Sequence, residues 1–228
     1  MYPYYDLPIL RQFSPMNGNS LSLTIVTVAI TCLISIVLMQ NRTGTALLLF
    51  HPVTVRERHQ WYRFLTSGFV HADMVHLFIN MFVLWSFGSV IEEYYFPAFL
   101  GDFSTHKFAL LYFGGIVAAS IPDYIRHNKN PAYAALGASG GVSAVVFAAI
   151  LFEPWQNLYL YGVIAIPQIL AGAAYLYYSW YQDKRAGDNI AHMAHFAGAV
   201  WGFVATGLMN PGLFARFIEK ALQGPGWF

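Results

Sequence analysis

The charged residues of this chain avoid six long stretches of its sequence. Residues 21–40, 73–91, 107–122, 133–152, 157–181 and 190–210 contain no Asp, Glu, Lys or Arg apart from Asp73 and Lys107, which sit at segment ends. A helix needs about 20 mostly apolar residues to cross roughly 30 Å of hydrocarbon, and most of these stretches approach that length. Charged residues make up 10% of the chain, where a soluble domain carries about 25%. Twelve basic and 11 acidic side chains are too few to cover a soluble surface of 228 residues. The spacing therefore predicts an all-α membrane protein, a bundle of six transmembrane helices. A membrane β-barrel would require alternating ten-residue strands, and that dyad pattern is absent.

The same composition excludes other classes. A net charge of +1 offers no basic stripe to phosphates, and 57% hydrophobic residues are incompatible with disorder. The single cysteine, Cys32, excludes an internal disulfide framework and a Cys-ligated zinc site.

Residues 1–20 form a short N-terminal segment with Pro3, Pro8 and Pro15. It lacks the ordered basic, apolar and small-residue regions of a signal peptide, so 21–40 is expected to be a retained first helix. The membrane domain is expected over 21–210, and 211–228 as a C-terminal tail. The longest connection, about 41–72, holds Arg42, His51, Arg56, Arg58, His59 and Arg63. Its apolar run from Ala46 to Phe50 and its Trp61, Tyr62 and Phe64 predict a loop lying partly in the membrane interface. The third apolar segment is short between Lys107 and Asp123, which would require Lys107 to snorkel.

Polar groups inside apolar segments are costly in hydrocarbon and point to function. Three clusters stand out: His71, His76 and Asn80 around the second segment, Gly137-Ala138-Ser139-Gly140 opening the fourth, and His192 and His195 in the sixth, followed by Gly198 and Gly202. Six helices alternate in direction, so the second, fourth and sixth enter from one membrane face. Each cluster lies in the early turns of its own helix, and all three therefore share one depth. Ser139 lies near a helix start, where free N–H groups and the positive dipole end favour an anion. A histidine can act as its general base and then as acid for a leaving amine. His76 and Asn80, spaced i,i+4, share one helix face and can both donate to an oxyanion. No carboxylate accompanies the sixth-segment histidines, so the arrangement is a Ser–His dyad. Each cluster also has a bland reading. Gly-Ala-Ser-Gly can be a close-packing patch, His76 and Asn80 interhelical glue, and His71 a structural group. Tyr175, Tyr177, Tyr178, Trp180 and Tyr181 read most simply as an interfacial aromatic belt.

At these residues the sequence resembles the rhomboid intramembrane serine proteases, over about 61–205. The resemblance is carried by Gly137-Ala138-Ser139-Gly140, by His71-Ala-Asp-Met-Val-His76-Leu-Phe-Ile-Asn80-Met81, and by Ala194-His195-Phe-Ala-Gly198-Ala-Val-Trp-Gly202. Gly88 and Glu92, at the exit of the second helix, fit as well. The resemblance implies Ser139 as nucleophile, His195 as base, and an oxyanion hole of His76, Asn80 and the Ser139 N–H. It implies a structural hydrogen-bonding role for His71, an ordering role for Arg63 in the first loop, and glycines three and seven residues after the base, which selects His195 over His192. It further implies transmembrane protein substrates with a small residue before the cut, no metal or other cofactor, and a multi-pass location in the membrane, expected to be a bacterial inner membrane. One departure is Ser143, where family members often carry an aromatic residue packing beneath the base. The resemblance implies a cytoplasmic N-terminus, although that places four basic residues inside and eight outside, against the positive-inside tendency.

Two alternatives stay open at this level. His71/His76 and His192/His195 look like two of the histidine boxes of a di-iron membrane oxidase, though His51, His59, His106 and His127 are isolated and no His-x-x-His-His occurs. A catalytically silent relative that only binds membrane helices is the other. His-Glu-x-x-His is absent, which excludes that type of zinc protease.

Overall fold

A computed structural model describes residues 22–160, 164–185 and 192–225. The N-terminal segment 1–20 and the first two residues of the sixth apolar segment lie outside the described residues. The described chain is mostly helical, which pairs backbone polar groups within each segment where no water is available to bond them.

Helix α1 (Leu23–Met39) buries Thr24, Thr27, Thr31 and Ser35 and turns Leu33 and Val37 outward at 66% and 63% exposure. Polar residues face the bundle and apolar ones the surroundings, the reverse of a helix on a soluble core. Its first turn is capped from a distance: Glu92 accepts from Ser22 Oγ (2.7 Å), Leu23 N (2.8 Å) and Thr24 N (2.8 Å). Three short helices, α2 (Arg42–Leu48), α3 (Pro52–Arg58) and α4 (Arg63–Thr66), then fill the long first connection. Buried Arg63 donates to Ala46 O (2.8 Å), Leu49 O (2.7 Å) and Gln60 Oε1 (2.7 Å), satisfying carbonyls at the end of α2.

Helix α5 (Met74–Val90) is capped by Asp73, whose carboxylate accepts from His76 N at 2.8 Å. It continues through one π-helical stretch, Ile91–Tyr95, into α6 (Phe96–Leu100). That stretch buries Glu92 beneath the start of α1. Helix α7 (Ser104–His127) has 24 residues and is therefore not the short segment expected from the sequence. Asp123 does not end it; its buried carboxyl is accommodated within the helix, near Tyr133 of the following loop and His127 and Arg126 of the last turn. Lys107 does not reach for solvent alone; its Nζ donates to Leu100 O (2.6 Å) and Asp102 O (2.9 Å).

Helix α8 (Ser139–Phe152) is the centre of the bundle, and every residue from Gly140 to Phe152 except Val146 is buried. It starts later than the apolar run suggests, because residues 128–138 form a loop. The fifth apolar segment divides. Its first part contains two antiparallel strands, β1 (Asn157–Leu160) paired with β2 (Ile164–Pro167), in the register Asn157↔Pro167. Only then does α9 (Gln168–Arg185) begin. Pro167 therefore immediately precedes this helix, and the β-branched Ile164 and Ile166 suit the strand before it. Helix α10 (His192–Met209) follows, and the segment read as a tail contains α11 (Gly212–Gln223), which buries Leu213 and places Phe214 against Gly207.

Among the described residues two helical stretches, Met74–Leu100 and Ser104–His127, are long and apolar enough to cross a membrane, and α1 and α8 are shorter apolar helices. Helices α7, α8 and α10 meet at backbone distance. A β-carbon on Gly140 would lie 2.3 Å from the Ala119 side chain, and one on Gly202 would lie 2.0 Å from Ala144 O.

Candidate active site

The loop before α8 explains how Ser139 is presented. Gly137 has φ +121°, a conformation that side chains disfavour, and a β-carbon there would lie 2.7 Å from His76 Cε1. The His76 ring thus rests on the Gly137 backbone. Gly137 N donates to Ser67 O at 2.9 Å, fixing the loop to the chain that precedes α5. His71 holds the next residue: Ala138 N donates to its Nε2 at 3.2 Å. A neutral His71 then carries its proton on Nδ1 and donates to Ser35 Oγ (2.9 Å), which donates to Phe69 O (2.9 Å). This chain ties the loop to α1. Ala138, the N-cap residue of α8, supplies no side-chain cap. The first amides of α8, with Ser139 leading, therefore have no intrahelical acceptor.

Ser139 Oγ and His195 Nε2 lie 2.8 Å apart. They come from α8 and α10, and the glycines set that spacing: a β-carbon on Gly198 would lie 2.3 Å from Gly140 O. Across from them, Asn80 Nδ2 donates to His76 O at 2.9 Å, which leaves its second N–H free of that bond. The His71 and His76 rings meet edge to face at 5.0 Å.

Ser139, His76, Asn80 and His195 all line one cavity of about 1090 Å³. Its walls are apolar, with Val83 and Phe87 from α5, Val146 and Phe147 from α8, Gly172 from α9, and Leu158 from β1. On the other side of Ser139 a second cavity of about 40 Å³ is lined by Ser67, Ser120 and Asp123 among others. That is room for about one water beside polar partners.

The structure brings together Ser139, His195, His76 and Asn80 at the cavity. Gly137, Gly140, Gly198 and Gly202 lie at close approaches beside it, with His71 behind the loop and Arg63 in the first connection. Among the described residues no three His, Cys, Asp or Glu side chains form a group that holds a metal ion. The His192 ring is buried and meets His195 edge to face with centroids 6.2 Å apart, and it meets Tyr178 at 5.7 Å.

Two participants escaped the sequence reading. Ser35, the partner of His71, belongs to the Thr24, Thr27, Thr31, Ser35 stripe, whose helical spacing was a usable signal. Tyr175 is not part of an outer aromatic belt. It lines the cavity, stacks on His195 with centroids 5.9 Å apart and planes 20° apart, and shares a hydrogen bond of 2.9 Å with Ser143 Oγ. No sequence pattern on α9 distinguishes it from its aromatic neighbours.

The family model for the Rhomboid domain matches residues 58–211. The chain is 29% identical over 157 residues to the mitochondrial RHOMBOID-like protein 12 of Arabidopsis thaliana, covering 66% of this chain and 47% of that protein. It is 26% identical over 172 residues to Rhomboid protease GluP of Bacillus subtilis, covering 72% of this chain and 29% of that one. Rhomboid protease GlpG of Haemophilus influenzae is 23% identical over 198 residues, covering 82% of this chain and 94% of GlpG. The chain thus spans less than half the length of the first two relatives. Their names include organellar and bacterial proteins, so a membrane rather than one compartment is common to them. With a family match over most of its length and motifs in family order, the chain belongs to the rhomboid family, a helical integral-membrane family that includes proteases.

Proposed function

We propose that this chain is an intramembrane serine endopeptidase that cleaves transmembrane segments of other proteins near one membrane face. The observation that carries the reading is the 2.8 Å approach of Ser139 Oγ to His195 Nε2 at the uncapped start of a helix and the wall of an apolar cavity. In this proposal α1, α5, α7, α8, α9 and α10 cross the bilayer, with the described α11 outside that set.

The Ser139 hydroxyl donates to Nε2 and attacks the scissile carbonyl as its proton passes to His195. The oxyanion is received by the Ser139 N–H, His76 and the second N–H of Asn80. Loss of one such donor reduces turnover by about 10²–10³-fold. His195 then protonates the leaving amine, leaving an ester on Ser139. A water deprotonated by His195 hydrolyses the ester, and the cavity beside Ser120 and Asp123 offers a place for it. No step requires a metal or nucleotide. The gap between α5 and α9 is the route for substrate, since its Val83, Phe87 and Phe147 walls suit a segment leaving lipid. A small residue before the cut and a segment that unwinds easily complete the substrate class. The compartment proposed is a bacterial inner membrane, with the N-terminus cytoplasmic and the site at the outer face.

Reconstituted protein should cleave a single-span substrate, and Ser139→Ala should abolish cleavage with thermal unfolding unchanged. Continued cleavage by Ser139→Ala overturns the dyad. A wild-type chain that binds the substrate without cutting it would be a silent relative. Stoichiometric iron with a dispensable Ser139 would favour the oxidase reading.

A further inference from the structure

The geometry points to Tyr175 as the positioning residue of the general base: its ring, held by a hydrogen bond to Ser143, keeps the His195 imidazole aligned with Ser139. This inference rests on the protease reading. It addresses a freedom that the glycine contacts leave open. Backbone contact between α8 and α10 fixes where the two side chains begin, but the ring torsion of a histidine is broad and must be fixed by neighbours. Two described rings meet His195. His192 meets it edge to face, at 85° between planes, whereas Tyr175 lies nearly parallel at 20°. A parallel ring blocks rotation of the imidazole; an edge contact does so much less.

Tyr175 is itself immobilised on two sides. Its hydroxyl and Ser143 Oγ are 2.9 Å apart, and its ring packs on Phe147 with centroids at 6.4 Å. Its neighbours Tyr177, Tyr178 and Trp180 are 65%, 52% and 44% exposed, so Tyr175 is the inward member of that aromatic group. Ser143 lies one helical turn after Ser139 and is buried. A small hydroxyl there leaves room for a ring from α9 and supplies its anchor. The support for the base therefore comes from α9, which borders the cavity, and not from the helix that carries the nucleophile. The pin is in place only while α9 lies against α8.

The test is steady-state cleavage of a single-span substrate in vesicles, with fluorophosphonate labelling of Ser139 in parallel, for Tyr175→Ala, Tyr175→Phe, Ser143→Ala and the swap Ser143→Tyr/Tyr175→Ala. Tyr175→Ala should lower kcat about tenfold with KM within about twofold, the scale of a lost aromatic pair. Tyr175→Phe and Ser143→Ala, which lose only the anchor, should each cost about threefold in kcat. The swap returns a ring to the same space from α8 and should recover most of the loss, with labelling rates following kcat. Unchanged kcat in Tyr175→Ala, a rise in KM alone, or a folded swap no faster than Tyr175→Ala would each overturn the inference. In the same assay Ser139→Ala must be inactive. If Ser139→Ala is inactive and the Tyr175 variants are unaffected, this inference fails and the protease reading stands; an inactive wild type sinks both.

Discussion

Helix α8 has two unlike sides. Toward α10 and α7 it offers backbone: Gly140 and Ala144 lie under Gly198 and Gly202 so closely that a single added methyl group would overlap a carbonyl oxygen. Toward α5 and α9 it offers Val146, Phe147 and Ile150 to a cavity of about 1090 Å³. The first side fixes the spacing of the two backbones from which Ser139 and His195 project, and their reacting atoms stand 2.8 Å apart. The second side leaves room for a polypeptide. Tight contact sets the reacting pair, and loose contact admits what it reacts with. One short helix does both because Ser139 lies at its end, where the two sides meet.

The comparison is broken most directly at Gly202. A β-carbon there lies 2.0 Å from Ala144 O, and a backbone oxygen in a buried helix cannot swing aside as a side chain can. Gly202→Val should destabilise the protein by about 3 kcal/mol, the upper range for overpacking. It should also separate α10 from α8 and so abolish both substrate cleavage and phosphonate labelling of Ser139. Thermal unfolding in detergent and labelling, measured on the same sample, check this. A variant that unfolds early yet labels at the wild-type rate would show that the glycine contact sets stability but not the dyad.

The loose side should respond differently. Val146 is the one residue between Gly140 and Phe152 that is not buried, and it faces the cavity. Val146→Trp should fill part of that space and lower cleavage of a single-span substrate at least about tenfold, because access rather than chemistry is obstructed. Labelling of Ser139 by a small phosphonate should change by less than about twofold, since the oxyanion donors are untouched. Equal losses in both assays would place the substitution's effect on the dyad itself and erase the distinction between the two sides.

These two sides were unequally legible in the sequence. The tight one was readable, because Gly198 and Gly202 repeat at helical spacing after His195 and Gly140 follows Ser139, and small residues in apolar helices have few other uses. Ser139, His195, His76 and Asn80 stood out because apolar segments leave polar groups nowhere to hide. The loose side was not readable. Hydropathy reports whether a stretch is apolar, not whether it is helix or strand, so Asn157–Leu160 and Ile164–Pro167 were merged with α9 although they form two paired antiparallel strands. Asp123 was taken as the end of a span, yet α7 buries it and continues to His127. Tyr175 looked like any interfacial tyrosine, because its role depends on the rotation of α9 about its axis, which an aromatic-rich helix does not encode strongly. Glu92 fitted the resemblance, but its long-range partnership with the start of α1 carries no local signal.

The smallest effect belongs to an ion pair that ties α9, on the loose side, to α7. Arg126 near the end of α7 donates twice to Asp183 of α9, Nη1 to Oδ1 at 2.7 Å and Nη2 to Oδ2 at 3.0 Å. The paired geometry is good, but Arg126 is 48% exposed. Solvent and salt therefore screen it, and such pairs contribute under about 1 kcal/mol. Arg126→Gln should lower the unfolding midpoint by no more than about 4 °C for a chain of this size, and less at high salt. Because α9 meets α8 through side chains such as Tyr175 rather than through backbone, removing this tie acts on the side already loose. Labelling of Ser139 should stay within about twofold of wild type, as the glycine contacts of α10 are unaltered. If Arg126→Gln instead destabilised the protein as much as Gly202→Val, the α9 side would be as firmly fixed as the α10 side. Cleavage would then require a different route for substrate than the gap between α5 and α9.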